Sequence, residues 1–326
     1  MPKLRAALML LAFSVLFLAL APGGAMAQAS YPDRVVKIVV PAPASSGFDV
    51  VGRILADVLA RRTGQGFVIE NRTGAGTLVG TQSAAEAAPD GYTLLIGGWS
   101  NIIFNAGLYK NQRNDPIKAF APVALVFDLS YSMVASKQSG LTTPQQVIEA
   151  AKAAPGKLTL ANAGHGTGHH IFGRAFQRIT GVQMQEVPYR GSAPAWPDVL
   201  SGRIDVFIDT TPGAQPYIQS GQVNGIGLLA PRRRVSAPDF PTMAERGVSG
   251  LDVESWVGVF APAGTPPAIV ARLQKEIEAA MPELTPRFIA AGGEPLSIPA
   301  DKVQAQVLAD HAKWLPIVQG MNITLD

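Results

Sequence analysis

Three histidines stand in one short run, GHGTGHH, where His165, His169 and His170 could ligate a metal or move a proton. Adjacent side chains diverge, however, and no carboxylate spacing completes a ligand set, so the run does not read as a metal centre. Its glycines point elsewhere. The apolar stretch LTLAN, from Leu158, breaks into a turn with Gly164, Gly166 and Gly168 that opens directly onto a helix with an apolar face. The first amides of a helix lack intrahelical partners and sit at the positive end of its dipole, and glycine lets a ligand approach them closely, so this is an anion site. The same construction recurs near the start of the chain, where VVKIVV (Val35–Val40) runs into PAPASSGFD and a helix from Asp49. Asp49 could act as a general base, but at a helix start it caps the helix or orients the loop. Two such loops, more than a hundred residues apart, suggest two lobes gripping one acid.

Other chemistry finds little support. The run from Gly74 through Gly76 to Gly80 imitates a dinucleotide fingerprint, yet its spacing misses GxGxxG and it reads as a turn with flexible backbone. There is no GxSxG elbow and no phosphate-binding GxxxxGK[ST]. The chain has no cysteine, which excludes disulfides, a thiol nucleophile and thiolate metal sites.

The elements that must position these loops alternate along the chain as in α/β domains on largely parallel sheets. Strands are expected at VVKIVV, GFVIEN, YTLLIGG, PVALVF, YSMVAS, KLTLAN, QEVP, IDVFID, VNGIGLLA and ESWVGVFAP. Helical periodicity covers residues 49–62, 144–153, 170–179 and 267–280, with Thr265 as the cap of the last, and a final helix covers 301–318. About 300 residues after a leader exceed what one core usually organises, so two lobes are expected.

Lys3 and Arg5 precede an apolar run, Ala6–Ala21, and then PGGAMA, which predicts a secretory signal peptide cleaved after Ala27. Without those two residues the 27 basic side chains fall to 25, against 24 acidic, so the charge balance indicates no nucleic-acid partner. The one basic cluster, Arg232–Arg234, reads as a solvated turn.

The segment YPDRVVKIVVPAPASSGFDVVGRILADVLARRTGQGFVIENRTGAGTLVGTQSAAEAAPDGYTLLIG resembles the opening of the Bug family, the extracytoplasmic solute receptors of tripartite tricarboxylate transporters. The likeness continues through FAPVALV, APGKLTLANAGHGTGHH, VPYRGSAPAWPDVLSGRIDVFID, PDFPTMAERGV and WVGVFAPAGTP. It implies an α/β fold of periplasmic binding protein type II, two lobes with the ligand cleft between them. Lobe one would hold residues 28–127 and 252–326, and lobe two residues 128–251. It also implies that the loop after the first strand, residues 43–49 (with Ala44, Ser45, Ser46, Gly47, Phe48 and Asp49), and the lobe-two loop, residues 164–170 (with Gly164, His165, Gly166, Thr167 and His170), contact a carboxylate, partly through water. Asp209 and Thr210 would meet the far end of the ligand, and Trp99, Ser100 and Asn101 would add a further contact.

Two departures bear on the ligand. Where the family usually reads P-F-P-A-G-G-G-T-D, this chain has PAPASSGFD, with serine for glycine at Ser45 and Ser46 and with Phe48 in place of a small or hydroxylated residue. Phe48 and Trp99 could pack on an apolar ligand body, or Phe48 could point into the core and Trp99 serve as a structural plug. The expected protein is a monomeric, exported receptor that captures a small organic carboxylate by lobe closure, without cofactor or metal, for a membrane permease. The opposing reading is an exported enzyme using the histidine run or Asp49.

Overall fold

The computed structural model describes residues 31–109, 113–321, 323 and 325. The expected signal peptide lies outside them. Strands β1 (Val36–Val40), β2 (Phe67–Asn71), β3 (Thr93–Gly98), β4 (Phe120–Asp128), β5 (Tyr131–Ser136), β6 (Thr159–Asn162), β7 (Gln185–Pro188), β8 (Val206–Thr210), β9 (Val223–Leu229), β10 (Trp256–Pro262) and β11 (Glu294–Pro295) form two sheets. All but the short β11 fall on runs expected to be strands. The first sheet runs β11-β4-β10-β3-β1-β2 and the second β7-β6-β8-β5-β9, each belonging to one lobe of a bilobed α/β fold.

Each sheet is parallel where it meets the cleft and antiparallel where the chain crosses between lobes. β1 pairs in parallel with β2 and β3, and β6 with β7 and β8. The antiparallel members are β10, inserted between β3 and β4, the short edge strand β11 beside β4, and β5, inserted between β8 and β9. The parallel strands are apolar in runs because helices cover both faces: Val36, Ile38, Val39 and Val40 of β1 are all buried. The two crossings lie side by side, with the Leu129 amide donating to Ser255 O at 2.8 Å and the Ser255 hydroxyl donating to Leu129 O.

The helix Gly47–Thr63 buries Phe48, Val51, Leu55, Val58 and Leu59 along one stripe. Ser46 caps its start by accepting from the Asp49 amide, and Gly64 ends it in the left-handed conformation that glycine tolerates. In the other lobe the helix Gly168–Thr180 buries Ile171, Phe172, Ala175 and Phe176 and ends at Gly181 in the same way.

Some expectations need correction. The helix from Pro267 does not stop at Ala280 but runs to Ala290, through Pro282 and Pro286. Its buried stripe, Leu273, Ile277, Ala280, Leu284 and Phe288, keeps helical spacing across both prolines, and that burial outweighs the lost amide bonds. Thr265 is not its cap, since its hydroxyl donates back to Pro262 O at 2.7 Å. The turn Gly74–Thr77 is not a loose one: Tyr109 OH donates to Ala75 O at 2.6 Å and Asn105 Nδ2 to Thr77 Oγ1 at 3.3 Å. Arg232–Arg234 is not simply solvated either. Arg234 is 2 % exposed and clamps Asp128 through both terminal guanidinium nitrogens, Nη1 at 2.6 Å and Nη2 at 2.9 Å, while Arg232 meets Glu294 at 2.9 Å. Asp128 and Glu294 sit on first-sheet strands and the arginines follow β9, so the cluster ties the lobes together beside the crossings.

Candidate functional site

Parallel strands deliver their loops to one end of a sheet, and ligands of open α/β sheets bind at those carboxyl ends. Here both sheets turn those ends toward a shared cavity of about 400 Å³. From lobe one come Pro41–Pro43 and Ser46–Phe48 after β1, Thr73–Thr77 after β2, and Ser100 after β3. From lobe two come Ala163, Gly164, Thr167 and His169 after β6, Tyr189–Ser192 after β7, and Thr210 at the end of β8, with Leu129 and Tyr131 at the crossing.

Of the residues expected from sequence, Ser46, Gly47, Phe48, Ser100, Gly164, Thr167 and Thr210 lie in this lining. The others stand outside it, each for a local reason. Ala44 and Ser45 are exposed on the loop, and Ser45 takes a left-handed φ of 65° where the family usually has glycine. Asp49 is buried behind the loop: its carboxylate accepts from the Ser45 amide, from Arg53 Nε and from Asn71 Nδ2, all at 2.9 Å. Burial opposes its ionisation, but those hydrogen bonds prevail and hold the carboxyl below the usual range.

Trp99 packs into a buried aromatic group, 4.9 Å from Trp314 and 6.0 Å from Phe104 between ring centroids. Asn101 is also buried and spends its amide on the turn itself, accepting from the Gly98 amide at 2.8 Å and donating to Thr81 Oγ1. Phe48 serves both surfaces, because its ring lies against Gly98 at the core while part of it reaches the cleft.

The lobe-two turn is held from behind. His170 accepts the Gly166 amide on Nδ1 at 3.2 Å, so its proton sits on Nε2, facing Glu186 at 3.4 Å. His165 lies edge-on to His170 and remains exposed. Asp209 is fully buried and accepts from Ser192 Oγ (2.6 Å), His169 Nε2 (3.1 Å), the Thr210 amide (2.7 Å) and Trp196 Nε1 (2.9 Å). It therefore positions cleft residues without lining the cleft. Ser192, His169 and Asp209 are the residue types of a hydrolytic triad, but Ser192 and Asp209 meet the same imidazole nitrogen and Ser192 donates directly to Asp209. That wiring cannot relay a proton from serine through histidine.

The amides at the two helix starts differ. Those of Gly47 and Phe48 have no acceptor among the described residues, whereas the Gly168 amide donates to Ser100 Oγ of the opposite lobe at 3.0 Å. The Gly166 amide is taken by His170, so the glycine-rich turn is mostly engaged within the protein.

The cleft residues that sequence reasoning missed were Thr73–Thr77, Tyr189–Ser192, Pro41, Ala42, Leu129, Tyr131 and Ala163, while Pro43 and His169 lay within the two expected loops without being singled out. The signal that could have found the first two was strand order, because both segments follow parallel strands on the same side as the expected loops.

Two α/β lobes joined by paired crossings, with a cleft at their strand ends, define a periplasmic binding protein of the type II class. Residues 51–323 match the model of the tripartite tricarboxylate transporter family receptor, and the chain belongs to that family. It is 32 % identical to Protein BugT of Bordetella pertussis over 320 residues, covering 97 % of this chain and 98 % of that one. Among solved structures it resembles the periplasmic binding protein BugD (33 % identity, TM-score 0.83, 90 % of this chain and 99 % of that one). It also resembles R. palustris Rpa4515 solved with adipate (30 %, TM-score 0.84, 89 % and 98 %). MatC from Rhodopseudomonas palustris with bound malate matches at 29 % and a TM-score of 0.81, over 88 % and 100 %. The protein is thus a periplasmic, non-catalytic receptor for a small carboxylate in a tripartite tricarboxylate-type transport system.

Proposed function

We propose that the ligand carboxylate docks at the start of the Gly47–Thr63 helix, on the amides of Gly47 and Phe48. The observation that carries this reading is that these two amides have no acceptor among the described residues and lie in the cleft wall at a positive helix end. Ser46 Oγ accepts from the Asp49 amide and keeps its own proton to donate. Across the cleft, Thr210 Oγ1 accepts from the Gly213 amide and likewise keeps its proton to donate, and the loop at Gly164 adds polar contacts, while the Thr167 and Ser192 hydroxyls give their protons to Gly164 O and Asp209. Amides and hydroxyls share the charge without a buried cation, and bridging water fills what they do not reach.

A ligand touching both walls favours the closed arrangement by the contacts it gains there and nowhere else. Phe48 and the prolines after β1 supply the apolar part of the wall, against the ligand body. Sheet membership supports lobe limits near Asp128 and between Leu229 and Trp256, since β1–β4 and β10–β11 belong to one sheet and β5–β9 to the other. The closed receptor, as a monomer, would hand its ligand to a membrane permease.

The test is thermal. A ligand that binds only the folded state, at about a hundred times its Kd, adds roughly 2.7 kcal/mol of stability. A panel of organic acids should raise Tm by several degrees for the right acid and much less for its methyl ester, because the helix amides select charge. Equal shifts from acid and ester would remove the carboxylate from this helix start.

A further inference from the structure

The charge inventory of the cleft is lopsided. Among the described residues no acidic side chain lines it, since Asp49 and Asp209 stand behind the wall with their donors already in place. His169 turns Nε2 toward Asp209, which leaves Arg190 as the one lining residue among those described with a permanent formal charge. Every other arginine between Tyr131 and Trp256 is engaged: Arg174 with Glu186, Arg203 with Asp198, Arg232 with Glu294, Arg233 with Glu245 and Arg234 with Asp128, while Arg178 and Arg246 donate to backbone carbonyls. Arg190 alone in that stretch makes no ion pair or side-chain hydrogen bond among the described residues.

The backbone on either side of Arg190 is nevertheless fixed. The Tyr189 amide donates to Asn162 O at 2.9 Å and the Gly191 amide to Ala163 O at 3.2 Å, while Tyr189 OH donates to Asp198 at 2.7 Å. Gly191, at a φ of 110°, lies so close to lobe one that a Cβ there would come 3.1 Å from Pro43. Arg190 is therefore an exposed, unspent guanidinium on a rigid loop at the cleft wall, next to the point where the lobes meet. Guanidinium presents a planar fork that matches a second carboxylate, and a ligand ammonium would find no counter-charge anywhere in the lining.

We propose that Arg190 is a specificity-determining residue that receives a second anionic group of the ligand, selecting dianionic acids over monocarboxylates and amino acids of equal length. The proposal rests on the reading that the first carboxylate sits at Gly47 and Phe48. The test compares wild type and Arg190→Gln by calorimetry with straight-chain dicarboxylates from succinate to suberate, each beside the monocarboxylate of the same length.

Wild type should prefer the dicarboxylate, and Arg190→Gln should lose about tenfold or more for it, while the monocarboxylate changes by less than about twofold. Arg190→Lys should restore part of the preference, and the dicarboxylate should be the more salt-sensitive ligand only while a cation is present. Because Arg190 is unpaired, the variant's melting temperature without ligand should match wild type. Equal losses for both acids, unchanged dicarboxylate binding, or a wild type that binds no dicarboxylate would each overturn the assignment. A monocarboxylate that still outbinds its methyl ester in such a result leaves the first carboxylate in place. Equal binding of acid and ester overturns that site, and this assignment with it.

Discussion

Asp49 shows how a residue can matter to binding without meeting the ligand. Its carboxylate gathers the Ser45 amide, Asn71 and Arg53, and Asn71 also donates to Ala42 O, so one buried acid fixes both ends of the loop that carries Gly47 and Phe48. Its folded pKa lies below the ordinary carboxylate value, so its contribution is present above about pH 4 and fades as pH falls through the folded value. Asp49→Asn should cost about 1–3 kcal/mol at neutral pH and weaken ligand binding through the displaced loop. Urea melts at a series of pH values check it: the gap between wild type and variant should close in acid, and a gap that stays constant would mean the charge is idle. The orienting role of Asp49 was legible in PAPASSGFD because an acid at a helix start has few other uses. That Asp209 stands behind the wall was not legible, since Ser192, Trp196 and His169 reach it from separate elements and nothing in their spacing joins them.

Among the elements, strands were read well because β-type runs bounded by glycine and proline leave few alternatives. Helices were read well where caps and stripes agreed, and poorly where prolines argued for a stop. The Pro267–Ala290 helix is the instructive case, since local propensity ends it at Ala280 while its buried stripe carries it on to Phe288. Phe288 is fully buried and sits edge-on to Phe127 of β4 at 5.2 Å. Phe288→Ala should therefore cost about 3–5 kcal/mol in denaturant unfolding, against almost nothing if the helix had ended before it. The sequence does not place the turns after β2 and β7 at the cleft, although the first reads as a turn and the second carries Tyr189, Arg190 and Ser192. Nothing in their local spacing ties them to the two helix-start loops, and only the sheet order shows that they face the cleft.

For the whole molecule, the interlobe cluster of Arg234, Asp128, Glu294 and Arg232 couples the lobes beside their crossings. A buried ion pair adds little net stability relative to an apolar pair, but removing one partner strands the other. Arg234→Ala should thus lower unfolding free energy by about 3–5 kcal/mol, whereas a solvated arginine would cost under about 0.5 kcal/mol. Chemical denaturation of Arg234→Ala beside Arg233→Ala, whose parent side chain is exposed, separates the two cases.

The placement of β10 also sets a schedule for folding. It lies between β3 and β4, which come far earlier in the chain, so the first sheet cannot close until residues up to Pro262 are available. Until then two buried, apolar strand edges wait unpaired, a standing invitation to aggregate. The second sheet has no such debt, because all its strands fall between Tyr131 and Leu229. A chain emerging N-terminus first can therefore complete the later-made lobe before the one that opens the sequence. Loop-closure entropy makes that long-range insertion the slow step, and the half-built first lobe is the stage at which the protein most needs protection.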